Sequence, residues 1–271
     1  MTHILTFAHI SDTHLHADVN FKGGRDNPLP LVRAQQIIEA LHALEAPVSL
    51  VLHTGDVGHK IGKPETYSTA QQVLSTVRLP VLSIPGNHDR VTSFQQAILG
   101  RSKQEIQPHA DQDTEVHGVQ FLLLDSHAAT DGSAAGWLAP EQLHWLEERA
   151  TADDPRPLVI ALHHHPLPTD ATWLDQMMLR NGEDFHAIMR KVGQRLRGVF
   201  YGHIHESLVT VRDGIAYYSA PSPWFQTHTW YGQQKPLRLP SQLAAFHLVT
   251  LTTDATQVRP IFIQSSHSSR G

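Results

Sequence analysis

Five short clusters carry side chains that can hold a divalent cation: Asp12-Thr13-His14, Gly55-Asp56, Gly86-Asn87-His88-Asp89, His163-His164-His165-Pro166 and Gly202-His203-Ile204-His205. Their donors are imidazole nitrogens, carboxylate oxygens and one amide oxygen. Such donors suit borderline and hard divalent metals, and no soft sulfur competes with them. In extended backbone, residues i and i+2 point to the same side. Asp12 with His14, and His203 with His205, can therefore each present two donor atoms together. The glycines ahead of Asp56, Asn87 and His203 permit tight turns and close backbone approach. With one or two members of the triple histidine, these clusters offer about seven donors, more than the four of a tetrahedral site. They suit two ions that share a carboxylate and leave positions open for water and a substrate. Singly, each cluster is weak: Gly-Asp and Gly-Asn are ordinary turn dipeptides, and Asp-x-His fits a polar strand end. Their joint occurrence decides the reading.

Each cluster follows a short run rich in Val, Ile and Leu: Leu5–Ile10, Val48–His53, Val81–Ile84, Leu158–Leu162 and Val199–Tyr201. Such runs, with Val119–Leu124, fit strands buried on both faces. Loops at the carboxyl ends of strands are where open α/β sheets place ligands, so five loops on one sheet edge can converge. Between the runs, Leu31, Ala34, Ile38 and Leu41 recur at helical spacing after Pro30. Tyr67 to Val77, Leu143 with Leu146 after Pro140, and Phe185 to Val192 predict further helices. Beyond Gly202, Leu208–Val211, Ile215–Ser219, Ala244–Thr250 and Val258–Ile263 read as strands, with Asp213-Gly214 as a hairpin turn. Pro236–Pro240 reads as a loop. β/α units followed by a run of strands predict sheet packed on sheet with helices outside. Residues 1–264 read as a single domain and 265–271 as a polar, disordered tail.

The composition fits this class. Of 271 residues, 40% are apolar and 17% charged, as in ordinary globular proteins. No stretch approaches the ~18–20 apolar residues of a membrane span, and the N-terminus lacks a secretory pattern. With no cysteine, disulfides, iron–sulfur clusters and thiolate zinc sites are excluded, and a cytoplasmic setting is the expectation. The formal charge of −5 and the lack of a dense basic stripe argue against duplex nucleic acid or a membrane surface as partner. Histidine is unusually abundant, at 21 residues. Most are expected on the surface or hydrogen-bonded in the core.

On these motifs the sequence resembles the calcineurin-like metallophosphoesterases, whose pattern runs Asp-x-His, Gly-Asp, Gly-Asn-His-Asp/Glu, His, then Gly-His-x-His. The match extends over residues 12–205. The resemblance implies an α/β fold, a four-layer αββα sandwich of two mixed β-sheets flanked by helices. It implies that Asp12, His14 and His205 hold one metal, that Asn87, His164 and His203 hold a second, and that Asp56 bridges them. His164 is taken from the triple because the family's ligand usually stands two residues before the proline. The ions would be Mn, Fe, Zn or Co. A homodimer is the assembly that relatives suggest. His163-His164-His165-Pro166-Leu167-Pro168, with Trp173-Leu174-Asp175, Leu179-Arg180-Asn181 and Pro221-Ser222, is similar to bacterial class III cyclic-AMP phosphodiesterases and related glycerophosphodiesterases. Beyond about Trp230 the chain matches neither group.

The expected function is hydrolysis of small phosphodiesters, with 3′,5′-cyclic nucleotides first and glycerophosphodiesters as the alternative. Two ions ~3.5–4 Å apart can clamp phosphoryl oxygens and acidify a shared water, whose hydroxide would attack phosphorus in line. His88 is expected to bind a phosphoryl oxygen or protonate the leaving group, with Asp89 orienting its ring. Trp173, Asp175, Asn181 and Trp224 are candidates for a substrate wall, and His165 for facing the substrate or packing. Trp173 suits core packing equally well. Asp125-Ser126 reads as an outer support or plain turn. Of His53 and His59, one could orient ligands, although a packed or solvated role is the plainer reading. A non-catalytic scaffold on the same fold is the remote alternative, and metal content separates it from the enzyme.

Overall fold

Alternation of apolar residues along β1 (His3–Ile10) sends Leu5 and Phe7 to one side and Ala8 and Ile10 to the other, so the strand needs cover on both faces. The same demand shapes the computed structural model, which describes residues 2–59, 64–127, 133–240 and 242–263. After β1 come α1 (Pro30–Ala43), β2 (Leu50–His53), α2 (Ser68–Ser75), β3 (Val81–Ser83) and α3 (Val91–Ala97). Then follow β4 (Gln112–Val116), β5 (Val119–Leu123), α4 (Pro140–Ala150), β6 (Leu158–Ala161), the turn α5 (Thr172–Asp175), α6 (Gly182–Val192) and β7 (Leu196–Tyr201). The chain continues with β8 (Leu208–Arg212), β9 (Ile215–Ser219), β10 (Gln226–His228), β11 (Leu237–Leu239), β12 (Ala245–Thr252) and β13 (Thr256–Phe262).

One sheet has the order β13-β12-β1-β2-β3, and a second β4-β5-β6-β7-β9-β8. In the first, β1, β2 and β3 run parallel, β12 is antiparallel to β1, and β13 is antiparallel to β12. In the second, β5, β6, β7 and β9 run parallel, with antiparallel β4 and β8 at the edges. The two sheets meet through Leu5, Phe7, Leu50 and Leu52 on one side and Phe121, Val159, Ala161 and Phe200 on the other. Phe7 meets Phe200 and Phe121 edge-on, with centroids 5.3 and 5.8 Å apart, a favoured aromatic arrangement. Outside the first sheet, α1 lays Ile37 and Leu41 on Ala8, Ile10, Val51 and Phe246. Outside the second, α4 and α6 lay Leu146, Phe185, Ile188 and Met189 on Leu158, Ile160 and Val199. The result is the expected helix–sheet–sheet–helix layering.

Several elements follow directly from local chemistry. Pro30 and Pro140 occupy the first helical positions of α1 and α4, where a missing N–H costs nothing. Asp213 and Gly214 both take positive φ, 52° and 76°, as the two-residue turn between β8 and β9 requires. Two expectations need correcting. The five site-bearing strands do not share one sheet edge: β1, β2 and β3 belong to the first sheet, β6 and β7 to the second. Pro236–Pro240 is not simply a loop, because Leu237–Leu239 pairs antiparallel with Gln226–His228 as a separate ribbon. The tail expected at 265–271 lies outside the described residues.

Near the start of β4, Asp111 Oδ1 accepts the Asp125 N–H at 2.8 Å and the Gln142 amide at 2.9 Å. Burial pushes the Asp111 carboxyl up to about 6, against these bonds and with help from the Asp125 charge. A raised carboxyl favours the fold in its protonated form, so its stabilising share is full below the unfolded value near 4 and is lost as pH rises through about 6. Asp111→Asn, which mimics the neutral acid, should therefore raise stability by about 2 kcal/mol at pH 8 and change it little near pH 4. Denaturant unfolding at the two pH values checks this; an equal effect at both would refute it.

Candidate metal centre

The loops after β1 and β2 are zipped together by backbone bonds: Asp12 N–H to Gly55 O, His14 N–H to Asp56 O and Leu15 N–H to Val57 O, each 2.9 Å. The loops after β6 and β7 meet through Gly202 N–H to His163 O at 3.1 Å, and Ser222 Oγ donates to Asp12 O at 2.8 Å. This bonding holds Asp12, His14, Asp56, His203 and His205 at positive φ, between 46° and 70°. Non-glycine residues rarely adopt such backbone, and runs of it gather at functional sites. Gly86 has no freedom to carry a side chain, since a Cβ there would stand 2.2 Å from Asp56 Oδ1. Gly55, at φ 101°, would put its Cβ 2.5 Å from His163 Nδ1.

So packed, the side chains form two groups of atoms around one oxygen. In the first, Asp12 Oδ1 stands 3.8 Å from His14 Nε2 and 3.4 Å from His205 Nε2, and the two nitrogens are 3.0 Å apart. In the second, Asn87 Oδ1 stands 3.2 Å from His163 Nε2 and 3.0 Å from His203 Nδ1, and those nitrogens are 3.3 Å apart. Asp56 Oδ2 lies between, 3.6 Å from His14 Nε2 and 3.5 Å from His163 Nε2. Atoms that coordinate one ion at ~2.0–2.2 Å must be about 3–3.5 Å from each other, and these are close to that spacing.

The donors are also prepared for a cation. Among the described residues Asp12 Oδ1 is buried without a hydrogen-bond donor, a costly state for a carboxylate unless a positive charge meets it. Burial holds His14 and His203 well below the usual imidazole range, as neutral ligands. For His163 burial works downwards too, but the Asp56 charge, a bond to that carboxylate and the Asp12 charge push it up to about 9. The pocket of negative potential that draws a proton there would draw a metal ion. The nitrogens facing away are fixed as well. His163 Nδ1 donates to Thr54 O at 2.7 Å, and His205 Nδ1 to Phe225 O at 3.0 Å. His14 Nδ1 faces His59 Nδ1 at 3.2 Å. Such outer bonds fix the tautomer and ring direction of ligating histidines. The donor set therefore fits divalent metal.

Residues 5–207 match the family described as Calcineurin-like phosphoesterase. The chain belongs to that family. A 3′,5′-cyclic-nucleotide phosphodiesterase of Nostoc sp. is 28% identical over 81% of this chain and 78% of its own. A glycerophosphodiester phosphodiesterase of Enterobacter lignolyticus is 30% identical over 76% and 73%. A 3′,5′-cyclic adenosine monophosphate phosphodiesterase of Escherichia coli K12 is 30% identical over 80% and 75%. Among solved structures, a dimetal phosphatase from Danio rerio superposes with a TM-score of 0.69 at 15% identity, covering 97% of this chain and all of the other. That likeness shows the metallophosphoesterase fold.

Within this calcineurin-like site, several residues stand elsewhere than the sequence suggested. His163, not His164, faces Asp56, Asn87 and His203. The ring of His164 turns the other way and meets Ser126 Oγ through Nδ1 at 2.8 Å, and that hydroxyl also accepts the backbone N–H groups of His163 and His164. Strand phase explains the choice: Val159 and Ala161 face the opposite sheet, so His163 continues their side. Asp89 does not orient His88. Its carboxylate accepts the N–H groups of Val57, Gly58 and Gly86 and the Tyr67 hydroxyl, each at 3.0 Å. It clamps the Asp56 loop to the Asn87 loop, while burial and then the Asp56 charge push it up to about 7. Nor is Asn181 a wall residue: its amide bonds both the N–H and carbonyl of Leu138. Asp175 holds Thr169 through backbone and hydroxyl, and fully buried His165 lies 3.7 Å from it.

Trp173 and Trp224 both line a cavity beside these donors. A cavity of about 520 Å³ opens over Asp56, His14, Asn87, His203 and His205, with both tryptophans and Met177 in its walls. Trp224 is fixed by its indole N–H on Pro28 O at 3.1 Å. His88 lies on the same wall, with its ring stacked on His59 at 4.7 Å and edge-on to His14 at 4.8 Å. Sequence reasoning passed over Phe225, Thr227 and Arg238, which complete the wall. Thr227 and Arg238 lie on β10 and β11, strands of three residues each that are too short to give a periodic signal, and Phe225 just precedes β10.

Proposed function

We propose that this chain hydrolyses small phosphodiesters at a dinuclear metal centre and that 3′,5′-cyclic nucleotides are its first substrate class. The observation that carries the reading is the position of Asp56 Oδ2, 3.6 Å from His14 Nε2 and 3.5 Å from His163 Nε2. One carboxylate oxygen thus serves both groups of donors. Asp12, His14 and His205 would hold one ion, and Asn87, His163 and His203 the other. A divalent pair supplies Lewis-acid polarisation of the phosphoryl group and an activated water. The protein's own residues supply the rest. His88 stands at the cavity wall, where its ring can give a proton to the departing alkoxide. Trp173 and Trp224 offer aromatic faces against which a base can stack.

Support for the substrate class comes from the relatives in Nostoc and Escherichia coli, both named for cyclic-nucleotide hydrolysis. The Enterobacter relative supports glycerophosphodiesters as the second reading. The test is metal-replete protein offered cyclic AMP, glycerophosphoethanolamine and bis(p-nitrophenyl) phosphate, with metal content measured alongside. Near two ions per chain and turnover of cyclic AMP above the other natural diester are expected. One ion or fewer, or cleavage of monoesters alone, would remove the proposal.

His88→Ala should leave metal content unchanged and slow hydrolysis of alkyl diesters by ~10²–10⁴-fold, the usual share of a general acid. Diesters that release p-nitrophenolate, which leaves without a proton, should slow much less. Equal slowing for both leaving groups would rule out the proton-donor role.

A further inference from the structure

The cavity over the metal-binding residues carries an uneven charge. Among the described residues Asp56 is the only carboxylate in its lining, and its oxygens are directed at the metal-binding atoms and the His88 N–H. On the outer wall the single Lys or Arg among the described residues is Arg238. Several other arginines are held by carboxylates, as Arg156 is by Asp154 and Glu115, Arg212 by Glu183 and Arg149 by Asp113, while Arg33 and Arg197 bond backbone carbonyls. The Arg238 guanidinium lies over the Phe225 ring, 5.1 Å from the centroid, and among the described residues no carboxylate stands within ion-pair distance.

Arg238 is also tied to the metal-binding loop. It pairs across the β10–β11 ribbon with Thr227. The Thr227 N–H donates to His205 O at 3.1 Å, and its hydroxyl donates to Ile204 O. Phe225, under the guanidinium, takes the His205 Nδ1–H on its carbonyl and packs its ring 4.4 Å from the His205 ring. The ribbon that bears this exposed cation therefore keeps a fixed relation to His205, and the Phe225 ring lies under the guanidinium. Its flat guanidinium presents a fork of donors suited to carboxylate, phosphate or carbonyl oxygens.

We propose that Arg238 is a specificity-determining residue that reads the charge of the substrate's non-reacting arm. It favours diesters whose second arm carries an anionic or acceptor-rich group and disfavours those with a cationic head such as ethanolamine or choline, which meets no countercharge beside Arg238 among the described residues. This rests on the phosphodiesterase reading above and sharpens it, placing cationic glycerophosphodiesters last. A charge pair screened at such an open wall changes binding by about three-fold for each sign of the arm, and so by about ten-fold in the ratio of the two.

The test uses three p-nitrophenyl phosphodiesters with one leaving group and second arms ending in a carboxylate, a methyl group or a trimethylammonium. The readout is the kcat/KM ratio of carboxylate to trimethylammonium substrate, with kcat and KM resolved and metal content measured. The metal centre itself favours anions, so the decisive quantity is the change between variants. Arg238→Ala should lower the ratio about ten-fold through KM, Arg238→Lys should keep most of it, and Arg238→Glu should lower it below the alanine variant. Raising ionic strength should shrink the wild-type ratio towards that of Arg238→Ala. A ratio that does not move across the variants overturns the proposal. So does loss of metal in Arg238→Ala, which would make the residue a support for the His205 loop. If wild-type protein cleaves the methyl-armed diester but Arg238→Ala leaves the ratio intact, this inference alone fails. If it cleaves none of the three, the phosphodiesterase reading fails with it.

Discussion

Asp56→Asn is expected to remove nearly all phosphodiesterase activity while the protein still folds. Asp56 Oδ1 accepts the His88 N–H at 2.8 Å, and an asparagine carbonyl can keep that bond. The substitution then places an amide NH₂ where Oδ2 now faces both His14 and His163. An amide nitrogen is a poor metal ligand, and one negative charge is lost from a site that holds two, Asp12 and Asp56. Loss of a mere outer hydrogen-bond partner commonly weakens a metal site by ~10–100-fold. Loss of the shared ligand should exceed that and affect both ions, with turnover down by more than ~100-fold. A 100-fold loss of affinity at fixed metal concentration corresponds to about 2.7 kcal/mol less metal-induced stabilisation. The rise in melting temperature on adding Mn²⁺ should therefore shrink sharply, while the metal-free variant melts close to metal-free wild type. Wild-type turnover and metal content in purified Asp56→Asn would end the dinuclear reading.

The legible parts of this protein are those where local chemistry and global packing ask for the same residues. The inner strands are continuous apolar runs because both their faces are covered, and the donors stand out because they interrupt those runs at the carboxyl ends. β4, Gln-Asp-Thr-Glu-Val, was not legible: it is an edge strand with alternating half-exposure, held by pairing to β5 rather than by a core of its own. β10 and β11 are three residues each. Their position comes from bonds to the His203–His205 loop and from each other, which no periodicity records. Asp89 misled for a related reason. Its place beside His88 in the chain suggested contact between their side chains, but the loop turns its carboxylate inward to collect the N–H groups of Val57, Gly58 and Gly86. The abundance of histidine also separates into roles only in three dimensions. His9, His53 and His247 are buried polar supports, and burial holds each below the usual imidazole range. His9 and His53 bond Thr54 and Thr13 on the loops that carry the site.

Paired substitutions in the triple histidine give the sharpest separation of ligand from neighbour. His163→Ala deletes the nitrogen that stands 3.2 Å from Asn87 Oδ1, 3.3 Å from His203 Nδ1 and 3.5 Å from Asp56 Oδ2. Bound metal should fall from near two ions to near one per chain, with turnover lower by at least ~100-fold, since a ligand lost should cost more than an outer partner. His164→Ala deletes instead a ring whose Nδ1 meets the Ser126 hydroxyl. It leaves a buried gap and a hydroxyl with one partner fewer, a stability loss of about 1–3 kcal/mol. Both ions should stay bound, and turnover should fall by less than ten-fold. His164→Gln, which can keep a polar contact with Ser126, should recover part of the stability and so separate lost packing from lost chemistry. Metal analysis and melting curves on the three variants read all of this. Retention of two ions in His163→Ala, with one lost from His164→Ala, would return the ligand to the position two residues before Pro166 and show that the loop after β6 is rotated when metal is bound.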